Sequence, residues 1–258
     1  MKWGEKMPTK RLSDIKGYEN TGQLVKFLKQ EYLENLLNGK IYMNNFKYFI
    51  DLELKEKIKG QGDKLEIGHV IRGTDGYIMD TETNTTFGTV RNVESVERYV
   101  EMDKMPVFCV AEFTSEDYLV INEDEDKVTA KIDLPLEDQK YFEKNFGEIA
   151  VALPNDFMPK FYQATQESQR LAIGKVDYIN YNFYSLKRKK EFDEMSINIL
   201  FWKDEFFNKQ REVRFILTNE LVDSDYTLEI GDIREKAIVT NTKSFFKEEF
   251  NFCLPIIK

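Results

Sequence analysis

Histidine occurs once in this sequence, at His69, and cysteine twice, at Cys109 and Cys253. That scarcity leaves too few soft ligands for a Cys/His zinc site. It also leaves a Ser–His–Asp arrangement no place to form except around His69, where no nucleophile context supports one. A lone histidine on a strand-like run (IGHVIRG) is more often structural than catalytic. The two cysteines lie far apart in apolar runs, VFCVAEF and FNFCLPII, and read as buried free thiols in a reducing compartment. No apolar run approaches the ~20 residues needed to span a bilayer. The N-terminal MKWGEKMPTKRLSD has no apolar stretch of the signal-peptide kind, so a soluble, cytoplasmic protein without membrane association is expected. Also missing are a GxxxxGK[ST] loop, a GxGxxG fingerprint, a GxSxG elbow and an HExxH pair, which disfavours P-loop NTPases, kinases, serine hydrolases and zinc hydrolases. Excess positive charge is missing too. The net charge of −9 argues against non-specific binding to nucleic acid, although a local patch could run against the global sign.

What is present suits a folded domain. The chain is 258 residues long with 41% hydrophobic residues, enough to bury a substantial core, and its 20 Phe and 13 Tyr suggest ring-lined clefts. Residues 1–20 are polar and aperiodic and read as a loosely held arm, with a single α+β domain over 21–258. GQLVKFL is a strand candidate. QEYLENLL is a helix with Tyr32, Leu33, Leu36 and Leu37 as its apolar stripe, stopped by Asn38-Gly39, and KIYMNNF is a second strand. MPVFCVAEFT and EIAVALP read as buried strands, and residues 74–92 as hairpins or turns. INEDEDK reads as a solvated loop or helix end, without the spacing of a calcium loop. NDFMPKFYQATQESQRLAIG reads as a helix with Asn155 or Asp156 as its cap. LKRKKEFDE starts a helix expected to run to about Lys209, and its Lys187–Lys190 patch reads either as an anion-facing surface or as a solvated helix start. A terminal helix and tail close the chain.

The most informative stretch is FWKDEFFNKQREVRFIL, residues 201–217. With period two, Val213, Phe215 and Leu217 share an apolar face, and Gln210, Glu212 and Arg214 share the other. One reading is an edge strand with a wet Glu–Arg pair. The other is a site in which an amide, a carboxylate and a guanidinium converge on one ligand. A carboxylate fixed on a strand can hold a ribose hydroxyl and stabilise an oxocarbenium-like centre while a glycosidic bond breaks.

Gln210-Arg211-Glu212 matches the [Q/E]-x-E motif of ADP-ribosyltransferases. A wider pattern resembles a group of bacterial and phage proteins. It comprises Lys26-Phe27, Leu36 to Gly39, Ile41 to Met43, Gly62-Asp63 with Glu66, Phe146-Gly147, Val176 with Tyr178, Lys203 with Phe207, Gln210, Glu212 and Arg214, and Leu228 to Ile233. The resemblance implies an ADP-ribosyltransferase-like α+β domain with two small mixed or antiparallel sheets and flanking helices. It implies transfer of ADP-ribose from NAD to a protein or nucleic-acid acceptor, in the setting of phage–host conflict, with no metal. Glu212 would be catalytic and Gln210 would orient the acceptor. Lys26, Tyr48 and Arg214 would bind NAD, with Lys26 standing where such transferases carry Arg or His, and Tyr42 as the alternative to Tyr48. The competing expectation is an inactive interaction protein that binds a protein partner or a nucleotide. Asp63 and Glu66 belong either to the cleft or to a turn cap.

Overall fold

A computed structural model describes residues 10–55, 57, 60–80, 82–247 and 251–255. In chain order the elements begin with strand β1 (Gly22–Leu28), helix α1 (Gln30–Leu37), β2 (Lys40–Asn45), α2 (Phe46–Leu54), β3 (His69–Asp80), β4 (Thr85–Glu97) and β5 (Pro106–Thr114). Next come β6 (Tyr118–Glu123), β7 (Lys127–Ile132), α3 (Leu136–Phe146), β8 (Ile149–Ala152), α4 (Phe157–Ala164), β9 (Leu171–Lys175), β10 (Asp177–Ile179) and α5 (Leu186–Asp193). The chain continues with β11 (Trp202–Asp204), β12 (Glu212–Leu217), β13 (Asp225–Glu229), β14 (Ile238–Asn241), α6 (Thr242–Phe245) and β15 (Phe252–Pro255). The fold is α+β, and its sheets are antiparallel except for the short parallel pair β10–β11.

One eight-stranded sheet dominates, in place of the two small sheets expected. Its middle is a fork. One edge of β5 pairs with β12 from Val107 to Ala111, and β12 pairs in turn with β9. The other edge of β5 is shared. Near its start it pairs with β2 (Asn44↔Val107, Asn45↔Pro106), and near its end with β1 (Val25↔Ala111 to Gly22↔Thr114). Beyond Val25, β1 leaves β5 and carries β8 and β14, while β2 carries β13 on the other arm. Between Lys26–Leu28 and Phe108–Val110 the two strands no longer pair, and the gap opens a cleft.

Period-two burial explains why these strands form. On β2, Ile41 and Met43 are buried while Lys40 and Tyr42 are exposed; on β12, Val213, Phe215 and Leu217 join one core and Ile216 another. Both faces of β12 are covered, because β5 and β9 flank it and core lies above and below. The expected edge strand with a wet side is therefore corrected to a central, fully buried one. Phe27, Phe113, Phe142 and Phe245 pack on one another beneath β1 and β5.

Other expectations shift for identifiable reasons. Within the arm expected over 1–20, residues 1–9 lie outside the described residues, whereas Leu12, Ile15 and Tyr18 are buried in the core under β6 and β7. The acidic INEDEDK is the turn of the β6–β7 hairpin, and the helix expected through residue 174 stops at Ala164, with β9 following. The helix expected to reach Lys209 stops at Asp193; Met195 adopts φ +50°, and the chain then forms β11, whose partner β10 is supplied by tertiary contact. The terminal helix is confined to Thr242–Phe245, and Cys253 lies exposed on β15. Tyr32 leaves the α1 core stripe and is half-exposed.

Gly39 is required by geometry. Its φ is +75°, and a Cβ there would stand 2.0 Å from the Gly231 carbonyl oxygen. Gly39→Ala is expected to cost about 2–3 kcal/mol through backbone displacement. A urea-unfolding midpoint equal to wild type would contradict this.

Candidate functional site

The cleft at the fork has a volume of about 650 Å³. That is within the roughly 300–1,000 Å³ of ordinary ligand pockets. Its walls are the separated stretches of β1 and β5, and its floor carries Glu212 and Gln210. Its mouth is built by three consecutive elements, each turning one face inward: Tyr32 and Asn35 of α1, Lys40, Tyr42 and Asn44 of β2, and Tyr48, Phe49 and Leu52 of α2. Four of the five residues expected to form a site, Lys26, Tyr48, Gln210 and Glu212, thus line one cavity although they come from separate parts of the chain.

Lys26 sits where the sheet divides. Its Nζ donates to the Cys109 carbonyl at 2.6 Å, a backbone acceptor on the stretch of β5 that β1 no longer covers, and it lies 4.4 Å from the centre of the Phe108 ring. Burial pulls its pKa below the usual lysine value, against the opposing pull of Cys109 and Glu212. An anion entering the cleft would favour the charged form. The Cys109 thiol is held well above its ordinary pKa by burial and the nearby Glu212 charge, so it stays protonated.

Glu212 belongs to a buried cluster of charges. Its Oε2 accepts from Lys203 Nζ at 2.7 Å and its Oε1 from Arg214 Nε at 2.7 Å. Glu66 completes the group, accepting from Arg214 Nη2 and lying 3.6 Å from Lys203. Arg214 also donates to the Leu200 carbonyl at 2.6 Å. Burial alone would raise the Glu212 pKa, but Arg214 and Lys203 overcome it and hold the carboxyl well below the usual carboxylate range. Burial likewise opposes the charged form of Lys203, and Glu212 and Glu66 override it, so its pKa is raised. The two cations favour the ionised form of Glu212 and make it a weak base, while each of its oxygens keeps a second lone pair for a hydroxyl donor.

The expected convergence of Gln210, Glu212 and Arg214 needs correction. Arg211 takes a left-handed conformation (φ +51°) that ends the preceding 3-10 turn, so Gln210 is not on the strand. Its amide donates to the Gly60 carbonyl at 2.8 Å and to the Tyr141 hydroxyl at 3.1 Å, holding the cleft floor against the loop after α2. Arg214 is 1% exposed and sits behind Glu212 with its donors committed to protein, where it supports the carboxylate instead of meeting a ligand.

Glu66, left open between cleft and turn cap, is the second acid of the cluster, while Asp63 accepts from Leu65 N at 2.8 Å as a turn cap. His69 is buried and stacked on Phe192, with burial lowering its pKa, a structural placement. Lys187, Lys189 and Lys190 form exposed i,i+4 pairs along α5 with Glu191, Asp193 and Glu194, as a solvated helix does. The residues missed in the sequence are Lys29, Lys40 and Tyr32 at the mouth; alternation on β2 puts Lys40 with Tyr42 and Asn44 on the face opposite the apolar Ile41 and Met43.

Among the described residues no group of His, Cys, Asp and Glu is disposed to hold a metal ion, and no helix is long and apolar enough to cross a membrane. No family model, no curated protein and no solved structure matches this chain.

Proposed function

We propose that this chain is an ADP-ribosyltransferase-like protein that takes NAD into the forked cleft and passes ADP-ribose to a macromolecular acceptor. The observation that carries the reading is the convergence, in one ring-walled cavity, of Lys26 with Glu212, whose carboxylate is held by Lys203 and Arg214. Lys26, Lys29 and Lys40 line this cavity, and its one acidic residue is already matched by Lys203 and Arg214. On a protein of net charge −9 that is a local reversal suited to a pyrophosphate. Tyr48 and Phe49 offer ring faces for a base or the nicotinamide. Glu212 would accept a ribose hydroxyl through a remaining lone pair and place its charge beside the sugar as positive charge develops there. Gln210 would hold the floor rigid.

A second reading, binding without transfer, has its own support. Two cations neutralise Glu212 from behind, which lowers what it can offer a cationic transition state. Nicotinamide release separates the two. Release by wild type and its loss in Glu212→Gln, with NAD still bound by both, supports transfer. NAD binding with no release in the presence of cell-extract acceptors supports binding alone.

A further inference from the structure

The mouth of the cleft carries three tyrosines that packing does not account for. Tyr32, Tyr42 and Tyr48 are 55%, 54% and 45% exposed, and each comes from a different element, α1, β2 and α2. Exposing one large ring is ordinary; directing three toward a single cavity is not. All three line the same cavity, from consecutive elements of the chain.

The polar residues that line the cavity beside these rings are lysines and amides, Lys29, Asn35, Lys40 and Asn44. On β2, Lys40 and Asn44 stand on the same face as Tyr42, and Lys29 sits beside Tyr32 at the start of α1. Acidic residues stand behind this rim: Glu31 lies 3.8 Å from Lys29, and on β13 Asp225 and Glu229 are in register opposite Asn44 and Lys40. Rings spaced among lysines and amides form the arrangement that binds single-stranded nucleic acid, where bases stack on the rings and the lysines follow the phosphates. An amphipathic helix would gain less here, because the rim offers phenol faces and cations instead of a continuous apolar groove.

We infer that the acceptor left open by the proposed function is a single-stranded nucleic acid, bound with a base on the Tyr32 and Tyr42 rings of the rim and its backbone along Lys29 and Lys40. The inference rests on that reading for the transfer to the strand, but not for the binding itself. The net charge of −9 restricts binding to this rim, so the affinity should be site-dependent and not the diffuse attraction of a basic protein.

The test is fluorescence anisotropy of the full chain with labelled ten-nucleotide oligothymidylate, oligoadenylate and their RNA counterparts, beside a blunt duplex of the same length. Single strands should bind in preference to the duplex. Tyr42→Ala and Tyr32→Ala should each weaken binding by about fivefold or more. Lys40→Ala should weaken it and lower the slope of log affinity against log salt by about 0.7. These side chains are exposed, so the variants should melt with wild type, and Lys187→Ala should bind as wild type does. Equal binding of duplex, indifference to the tyrosine substitutions, or labelling of protein acceptors by a chain that binds no oligonucleotide would each overturn the inference. NAD binding without oligonucleotide binding would overturn this acceptor while leaving the cleft reading intact; tyrosine-dependent strand binding without NAD binding would do the reverse.

Discussion

Arg214→Ala is expected to lower stability by about 3–5 kcal/mol, the usual result of removing one partner from a buried ion pair. At this chain length that corresponds to a fall in Tm of roughly 6–20 °C. The guanidinium is enclosed, and it bonds Glu212, Glu66 and the Leu200 carbonyl together. Without it, two buried carboxylates are left with Lys203 as the cation between them, and a cavity opens over Phe46, whose ring centre lies 5.3 Å from the guanidinium carbon. The exposed Lys187–Glu191 pair provides the comparison, since Lys187→Ala should change stability by less than about 0.5 kcal/mol. Urea unfolding of both variants measures the contrast, and an Arg214→Ala loss below about 1 kcal/mol would deny the cluster its structural role. The same cluster dictates how Glu212 is tested. Truncation to alanine would unpair Lys203 and Arg214, so glutamine, which keeps the volume and an acceptor, is the informative change.

A pH-dependent stability gap between wild type and Asp63→Asn is expected. Asp63 is 1% exposed, its Oδ2 has no hydrogen-bond partner among the described residues, and burial together with the Glu66 charge pushes its pKa up to about 7, with Lys203 and the Leu65 N–H pulling the other way. The folded protein therefore keeps a proton between about pH 4 and 7 that the unfolded chain, with an ordinary aspartate, has released. Stability from this group falls as pH rises through that window and levels off above it. Asparagine removes the ionisation, so the variant should match wild type near pH 4 and exceed it increasingly toward pH 8, by on the order of 4 kcal/mol. Paired thermal melts from pH 5 to 8 measure the gap; a gap that does not grow with pH would mean that Asp63 ionises freely.

Local pattern was enough to locate most of the scaffold. The apolar runs in Gly22–Leu28 and Pro106–Thr114, the alternation in Lys40–Asn45 and the Asn38-Gly39 stop after α1 are written in neighbouring residues, and the strands and helix formed there. The cluster is not local. Glu66 and Arg214 meet across 148 positions, and nothing in either neighbourhood marks the other. The Gln210–Glu212 alternation misled because one left-handed residue, Arg211, breaks the strand without altering the apolar pattern. Trp202–Asp204 was hidden in a charged, helix-like run because its strand conformation comes from pairing with β10. The fork itself depends on which edges pair with β5, a property of topology that no single segment encodes.

The most direct test of a nucleotide-binding cleft at the fork is calorimetric titration of NAD into wild type and Lys26→Met. Saturable heat with wild type, and affinity reduced about tenfold or more in the variant, is expected from the loss of one charged hydrogen-bond donor. Absence of heat at millimolar NAD, or equal affinity in the two proteins, would contradict the assignment of Lys26 and the cleft to a nucleotide.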